Sequence, residues 1–331
     1  MISSVFQFIA SSSAIIIAGI FLVRYSDRIA DITKLSRLIV GSLFLAAATS
    51  LPELFVDISA VKKNMPNLAV GDLMGSSLFN LFILAIADLA HKGSRVIFSK
   101  ASASHAMAAL LSVAMTALAG SAILIEHKLQ LPVVGNLGII STTIPIAYFF
   151  GLRLVYFNQQ IATELIEIKK LDINLKQLLK ALGGYFLSAA SIFIAAPYLS
   201  EAAGEIASLT GLGNGFIGTT LVAFTTSLPE LVSTIASVRM GAYDLALGNI
   251  FGSNAFNVLL LLPLDFINAG SLFAAVSIEH VFTAMATIGI TSIAVMGQLY
   301  QIEKRKSFIE PDAFAVISLV LITLFVLYLL N

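Results

Sequence analysis

The sequence has no cysteine, no tryptophan, four histidines, and only 11% charged residues in a chain of 331. Without cysteine there can be no disulfide, thiolate metal site or cysteine nucleophile, and the redox compartment leaves no mark. Nineteen basic residues balance nineteen acidic ones, so net charge points to no nucleic-acid partner. No nucleophile–base set and no nucleotide-binding loop is present, so neither an enzyme nor a bound cofactor is expected. The scarcity of charge carries the most information. Soluble domains have about 25% charged and about 45–50% apolar residues. Here 58% are hydrophobic and the mean hydropathy is +0.95. A surface that meets water cannot be covered with so few polar groups. The chain is expected to be an integral membrane protein.

Apolar runs of roughly 20 residues mark membrane-spanning helices. Ten occur, at 5–23, 36–61, 66–90, 103–125, 132–152, 178–199, 213–238, 243–267, 280–299 and 311–330. The period-two alternation of a membrane barrel is missing, so an all-α bundle of ten transmembrane helices is predicted. No basic residue precedes the first run and no small-x-small site closes it, so it reads as a span rather than a removable signal. With ten spans the connectors alternate between two faces. Of the 19 Lys and Arg residues, 16 fall on one face, and only Lys62, Lys63 and Lys128 on the other. The positive-inside rule makes the first face cytoplasmic and puts both termini outside a cell membrane. The connector 153–177 is then cytoplasmic, charged and helix-compatible, and too short for a separate domain.

Residue n laid beside residue n+177 exposes an internal repeat. The stretch 41–80 aligns with 218–257 without a gap, and 17 of the 40 positions are identical. Thr49-Ser50-Leu51-Pro52-Glu53-Leu54 recurs as Thr226-Ser227-Leu228-Pro229-Glu230-Leu231, and Gly75-Ser76-Ser77-Leu78-Phe79-Asn80 as Gly252-Ser253-Asn254-Ala255-Phe256-Asn257. Shared hydrophobicity cannot explain identical Thr, Ser, Pro, Glu and Asn. The second and third spans match the seventh and eighth, so each unit holds five helices. An odd number reverses the second unit through the membrane. Two inverted five-helix repeats are expected, 1–152 and 178–331, joined by 153–177. Secondary transporters have this architecture, with the substrate site near the midplane where the halves meet.

Glu53 and Glu230 lie well inside apolar spans, where a carboxylate costs at least about 2.5 kcal/mol on insertion scales. No basic residue lies mid-span to pair with them. Pro52 and Pro229 precede them, and proline removes an amide donor and clashes with the carbonyl four residues back. The carbonyls near Ala46–Ala48 and Ala223–Thr225 are thereby freed as hard oxygen ligands. Thr49, Ser50, Thr226 and Ser227 sit three or four residues before the glutamates, close to the same helical face. Ser76 and Asn80 are one turn apart, as are Ser253 and Asn257. Oxygen donors without His or Cys suit Na⁺, Ca²⁺ or Mg²⁺ rather than zinc or copper. Asp57 is one turn beyond Glu53 but matches the neutral Thr234, so it is either an entrance group or simply solvated at a helix end. Asp72 (opposite Asn249), Asp88 and Asp265 are expected near span ends, and His105, Glu279 and His280 at the interface.

With these residues in view, the sequence resembles the cation/calcium exchanger superfamily, most closely the prokaryotic type of its sodium/calcium exchanger branch. The family's two alpha-repeats look like Thr49–Asn80 and Thr226–Asn257. The resemblance implies four cation subsites between the second, third, seventh and eighth helices. Glu53 and Glu230, with Thr49 and Thr226, match the family's calcium ligands; Ser50, Ser227, Ser76 and Ser253, with the carbonyls of Ala46 and Ala223, match its sodium ligands. Asn80 and Asn257 match the remaining central positions. The first and sixth helices match the sliding pair that alternates access. Ser-Leu-Pro before the glutamate, where the superfamily's proton/calcium antiporters read Gly-Asn, favours sodium coupling; Asn257, where potassium-dependent members carry Asp, disfavours potassium. The function implied is electrogenic exchange of Na⁺ for Ca²⁺ by a monomer in the lipid bilayer. The competing readings are a Ca²⁺/H⁺ antiporter of the same superfamily and a passive cation channel.

Overall fold

A computed structural model describes residues 2–90, 103–129, 132–134, 137–164, 174–209, 224–300 and 311–330. The long helices are α1 (Ile2–Thr33), α2 (Arg37–Lys62), α3 (Pro66–Ala90), α4 (Ala103–Leu129), α5 (Thr143–Glu164), α6 (Leu175–Leu209), α7 (Leu228–Arg239), α8 (Tyr243–Ile267), α9 (Glu279–Tyr300) and α10 (Pro311–Leu330). Among the described residues nine of these are long and apolar enough to cross a membrane, α7 being the exception. The expected seventh span, 213–238, is seen only in its second half, because 213–223 lies outside the described residues.

Most boundaries agree with the apolar runs, and three differences have physical causes. The fifth span begins at 140 rather than 132. Residues 133–138 instead form a small antiparallel ladder of β1 (Val133–Val134) and β2 (Leu137–Gly138), followed by a 3₁₀ turn at 140–142. Asp265 of α8 fixes this segment, accepting from the Gly138 amide at 2.8 Å, from the Ser141 hydroxyl, and from the Leu272 amide at 2.6 Å. Second, α1 and α6 run to 32 and 35 residues, about 48 and 52 Å at 1.5 Å per residue. They exceed the roughly 30 Å hydrocarbon layer and so must tilt or protrude. Third, α2 is not a plain α-helix: Val40–Leu45 is a π turn, and the α-helical geometry resumes at Ala46.

Burial sorts the helices. In α3, α8 and α2, 72%, 67% and 61% of the most apolar window is buried, against 28% in α1, α5 and α6 and 22% in α10. Thus α2, α3 and α8 form the centre. The outer helices turn Phe6, Phe149, Phe186, Leu187 and Phe325 outward, an apolar surface that fits lipid rather than water. Close approach of α2 to α8 needs glycine: a Cβ on Gly41 would meet the Leu245 carbonyl oxygen at 2.6 Å, and one on Gly252 the Ser42 carbonyl oxygen at 2.6 Å. Helices α1 and α6 lie against each other as the most extensive pair, and both touch the central group. Tyr185 of α6 donates to the Phe44 carbonyl in the π turn at 2.6 Å.

Candidate functional site

The motif residues converge where α2 and α7 meet α3 and α8. Thr49, Ser50, Glu53, Ser76, Asn80, Thr226, Ser227, Glu230, Ser253 and Asn257 are all at most 3% exposed. Their contacts cross between the two copies of the motif. Thr49 Oγ1 lies 3.4 Å from Asn249 Oδ1 and 3.4 Å from Ser253 Oγ. Thr226 Oγ1 lies 3.4 Å from Asp72 Oδ1, and Ser227 Oγ 3.3 Å from Ser76 Oγ. Thr49–Asn249 and Thr226–Asp72 are the same contact made twice, since Thr226 is the repeat equivalent of Thr49 and Asn249 that of Asp72, each 177 positions on. Ser50 donates to Glu230 Oε1 at 3.2 Å. Asn80 Nδ2 donates to Asn254 Oδ1 at 2.9 Å, and Asn257 Nδ2 to the Leu73 carbonyl at 3.4 Å. The Ala46 carbonyl accepts from Thr49 Oγ1 at 3.2 Å, a contact within α2. Ala223 lies outside the described residues.

What these contacts leave over defines the chemistry. Both Glu53 carboxylate oxygens, Glu230 Oε2, Asn80 Oδ1 and Asn257 Oδ1 are buried acceptors with no hydrogen-bond donor. An unsatisfied buried acceptor costs about 1–3 kcal/mol, more if charged. Among the described residues, neither glutamate has a salt-bridge partner. Five buried acceptor oxygens on four helices are left without donors, a deficit that a cation can satisfy. The donors are carboxylate, amide, hydroxyl and carbonyl oxygens, the set a hard cation takes. Among the described residues no three His, Asp or Glu side chains are placed to hold one metal ion.

Burial corrects the reading of the other acids. Asp57, Asp88 and Asp265 are at most 1% exposed, not solvated at helix ends. Asp265 is a staple for the 137–141 segment. Asp57 and Asp72 stand beside each other, within coulombic reach of Glu53. His105, expected at the interface, is 3% exposed and lies 3.2 Å from Asp244. Asn249 and Asn254 were missed as site residues. Their signal was present for Asn249, which falls opposite Asp72 in the repeat, whereas Asn254 faces a serine and had none.

Among the described residues, nine apolar spans enclose a buried cluster of oxygen-bearing side chains, which defines a multi-span membrane protein with a polar centre. Comparison with known proteins narrows the class. The family described as sodium/calcium exchanger protein matches residues 3–154 and again 180–331, and the chain belongs to that family, whose members are transporters. Sodium/calcium exchanger MaX1 of Methanosarcina acetivorans is 42% identical over 113 residues, 33% of this chain and 31% of that protein. Inner membrane protein YrbG of Escherichia coli is 29% identical over 265 residues, 76% and 78% of the two chains. Among solved structures, the sodium-calcium exchanger NCX_Mj soaked with 10 mM Na⁺ and zero Ca²⁺ superposes with a TM-score of 0.75 over 98% of both chains, at 20% identity. At that identity the likeness speaks for the fold.

Proposed function

We propose that this chain is a secondary active antiporter that exchanges Na⁺ for Ca²⁺ by alternating access. The observation that carries the reading is the set of donor-less buried oxygens of Glu53, Glu230, Asn80 and Asn257, on the four helices that meet at the centre. The named homologues support the choice of ions. The whole is read as ten helices in two inverted repeats, 1–152 and 178–331, linked by 153–177. The doubled contacts at Thr49–Asn249 and Thr226–Asp72 support that symmetry. Glu53 and Glu230 would hold Ca²⁺ with Thr49 and Thr226. Ser50, Ser227, Ser76 and Ser253, with the carbonyls of Ala46 and Ala223, would take Na⁺. The long pair α1 and α6, packed on each other and against α2 and α7, would slide across the site. The charge asymmetry of the connectors supports a cell-membrane protein with both termini outside, working as a monomer.

Charge counting makes the exchange electrogenic. Two central carboxylates holding one Ca²⁺ are neutral; with three Na⁺ the loaded site carries +1. Moving one elementary charge across 100 mV is worth about 2.3 kcal/mol, roughly fifty-fold in rate or equilibrium. Inside-negative potential therefore favours Na⁺ entry and Ca²⁺ exit. The test is ⁴⁵Ca²⁺ flux in proteoliposomes under imposed Na⁺, K⁺ or pH gradients, repeated with the potential set by valinomycin. A Na⁺ gradient alone should drive uptake, with strong voltage dependence. Uptake driven by pH would establish the proton-coupled alternative, and flux without counter-ion would establish a channel.

A further inference from the structure

Asp57 and Asp72 have no role in the central site as the repeat defines it, yet Asp57 is buried and Asp72 half-buried against it. Their mates 177 residues on are Thr234 and Asn249, and these two hydrogen-bond each other, Asn249 Nδ2 donating to Thr234 Oγ1 at 3.2 Å. One half of the molecule thus closes this position with a neutral, self-satisfied pair. The other half puts two carboxylates there. The two side chains lie within hydrogen-bond reach of each other; ionised, both are acceptors only, so the pair is held together by a shared proton or by a cation. Both oxygens of Asp57, which is 1% exposed, and Oδ2 of Asp72 have no hydrogen-bond donor, and among the described residues neither acid is in a salt bridge. Asp72 Oδ1 meets Thr226 Oγ1, a residue of the central site, at 3.4 Å.

We propose that Asp57 and Asp72 form an additional divalent-cation subsite, placed between the central site and the membrane face reached by the 62–65 connector, with no counterpart on the opposite face. The proposal rests on the exchanger reading above. Position supports it: along α2, Asp57 is four residues nearer the connector than Glu53, about 6 Å at helical rise. Asp72 lies six residues past the start of α3 at Pro66. An ion entering from that face meets this pair before it meets Glu53. Two negative charges match one Ca²⁺, and the pair with the Thr226 hydroxyl supplies only part of the six to eight oxygens calcium takes, leaving water to complete the shell. A partly hydrated ion held there is poised for transfer inward rather than trapped. The opposite face offers only Thr234 and Asn249, so the two faces should differ in calcium affinity.

The test replaces the acids with the pair the other half already carries, Asp57→Thr together with Asp72→Asn. Half-saturating ⁴⁵Ca²⁺ is measured from each face of oriented proteoliposomes, with an Asn64→Cys label identifying the face of the connector. On that face the double variant should need about five-fold more Ca²⁺, the ratio that ~1 kcal/mol of lost attraction gives. On the other face it should be unchanged. Equilibrium dialysis with ⁴⁵Ca²⁺ on purified protein reads the same subsite without transport: the double variant should bind one ion fewer per chain than the parent. If the double variant is not monodisperse, Asp57→Asn and Asp72→Asn singly carry both readouts. Equal shifts on both faces, no shift, or unchanged binding stoichiometry would overturn the subsite. Absence of sodium-driven flux in the parent would instead overturn the exchanger reading, and is seen in the same vesicles before any variant is compared.

Discussion

The same six residues, Thr-Ser-Leu-Pro-Glu-Leu, adopt two different backbones in this molecule. In α2 the motif lies inside an α-helix that begins at Ala46 and runs to Lys62, just after the π turn Val40–Leu45. In the second copy the chain is helical at 224–226, is interrupted at Ser227 (φ −82°, ψ 5°), and resumes as α7 at Leu228. Pro229 therefore stands in a first helical turn, where a missing amide costs nothing. Pro52 stands in a helix interior, where it leaves the Ala48 carbonyl without its usual donor. The glutamates inherit the difference. Glu230 is in the first turn of α7, where the helix dipole favours an anion, and it takes the Ser50 hydrogen bond. Glu53 has neither a helix start nor a side-chain donor. Near-identical sequence has produced one half-satisfied carboxylate and one bare one.

The largest effect that sharpens this contrast is on the carboxylates themselves. Glu53→Gln and Glu230→Gln should each cut Na⁺-driven ⁴⁵Ca²⁺ exchange by about 100-fold or more, since each removes an anionic ligand that neutral oxygens cannot replace. Thermal melting of the cation-free protein should separate them. Glu53→Gln replaces a buried carboxyl without a side-chain donor by a neutral amide and should melt higher than the parent. Glu230→Gln gives up a charge that Ser50 and the helix start already stabilise and should gain less. Equal gains would mean that the two glutamates are equivalent despite their backbones. Near-normal flux in either variant would remove that residue from the site.

The two halves also differ in how tightly their glycines are held. A Cβ on Gly252 would run into the Ser42 backbone, whereas one on its mate Gly75 meets nothing within 4 Å. Gly252→Ala should therefore destabilise by about 3 kcal/mol or prevent assembly, because backbone cannot move aside as a side chain can. Gly75→Ala should be neutral or slightly stabilising, through a helix-propensity gain of up to about 1 kcal/mol. Expression, monodispersity and melting temperature of the two variants decide it. A tolerated Gly252→Ala would contradict the close approach of α2 to α8.

Much of this was legible before any coordinates. Nine of the ten apolar runs correspond to long helices, since a run that must satisfy its own backbone in lipid has little choice. All the motif side chains within the described residues meet at the centre, because polar groups repeated inside apolar spans have nowhere else to be satisfied. What hydropathy could not reveal lies in tertiary contact. Asp57 and Asp265 looked like ends of spans, and only packing shows the first beside Asp72 and the second tied to Gly138 and Leu272. The fifth span was started too early, at 132, because Val133, Val134 and Leu137 are as apolar in a hairpin as in a helix. Asn254 was missed because its mate is Ser77, and identity between repeats was the signal being followed. The π turn leaves no trace in composition at all.

The smallest effect tests the prolines directly. Pro52→Ala restores an amide in the interior of α2, so the Ala48 carbonyl regains its donor, and the gain should be about 1 kcal/mol, one net hydrogen bond. Melting temperature should rise. Exchange should nevertheless fall several-fold, because an oxygen engaged within the helix is a poorer ligand for a passing cation. Pro229→Ala restores an amide in the first turn of α7, where helical amides are ordinarily unpaired, so its melting temperature should stay close to that of the parent. Circular dichroism melts in detergent, alongside ⁴⁵Ca²⁺ flux for both variants, separate the outcomes. A rise in stability for Pro229→Ala equal to that for Pro52→Ala would mean that α7 continues as helix through Ser227 in the membrane. The two motifs would then share one backbone, and the difference between Glu53 and Glu230 would need another cause.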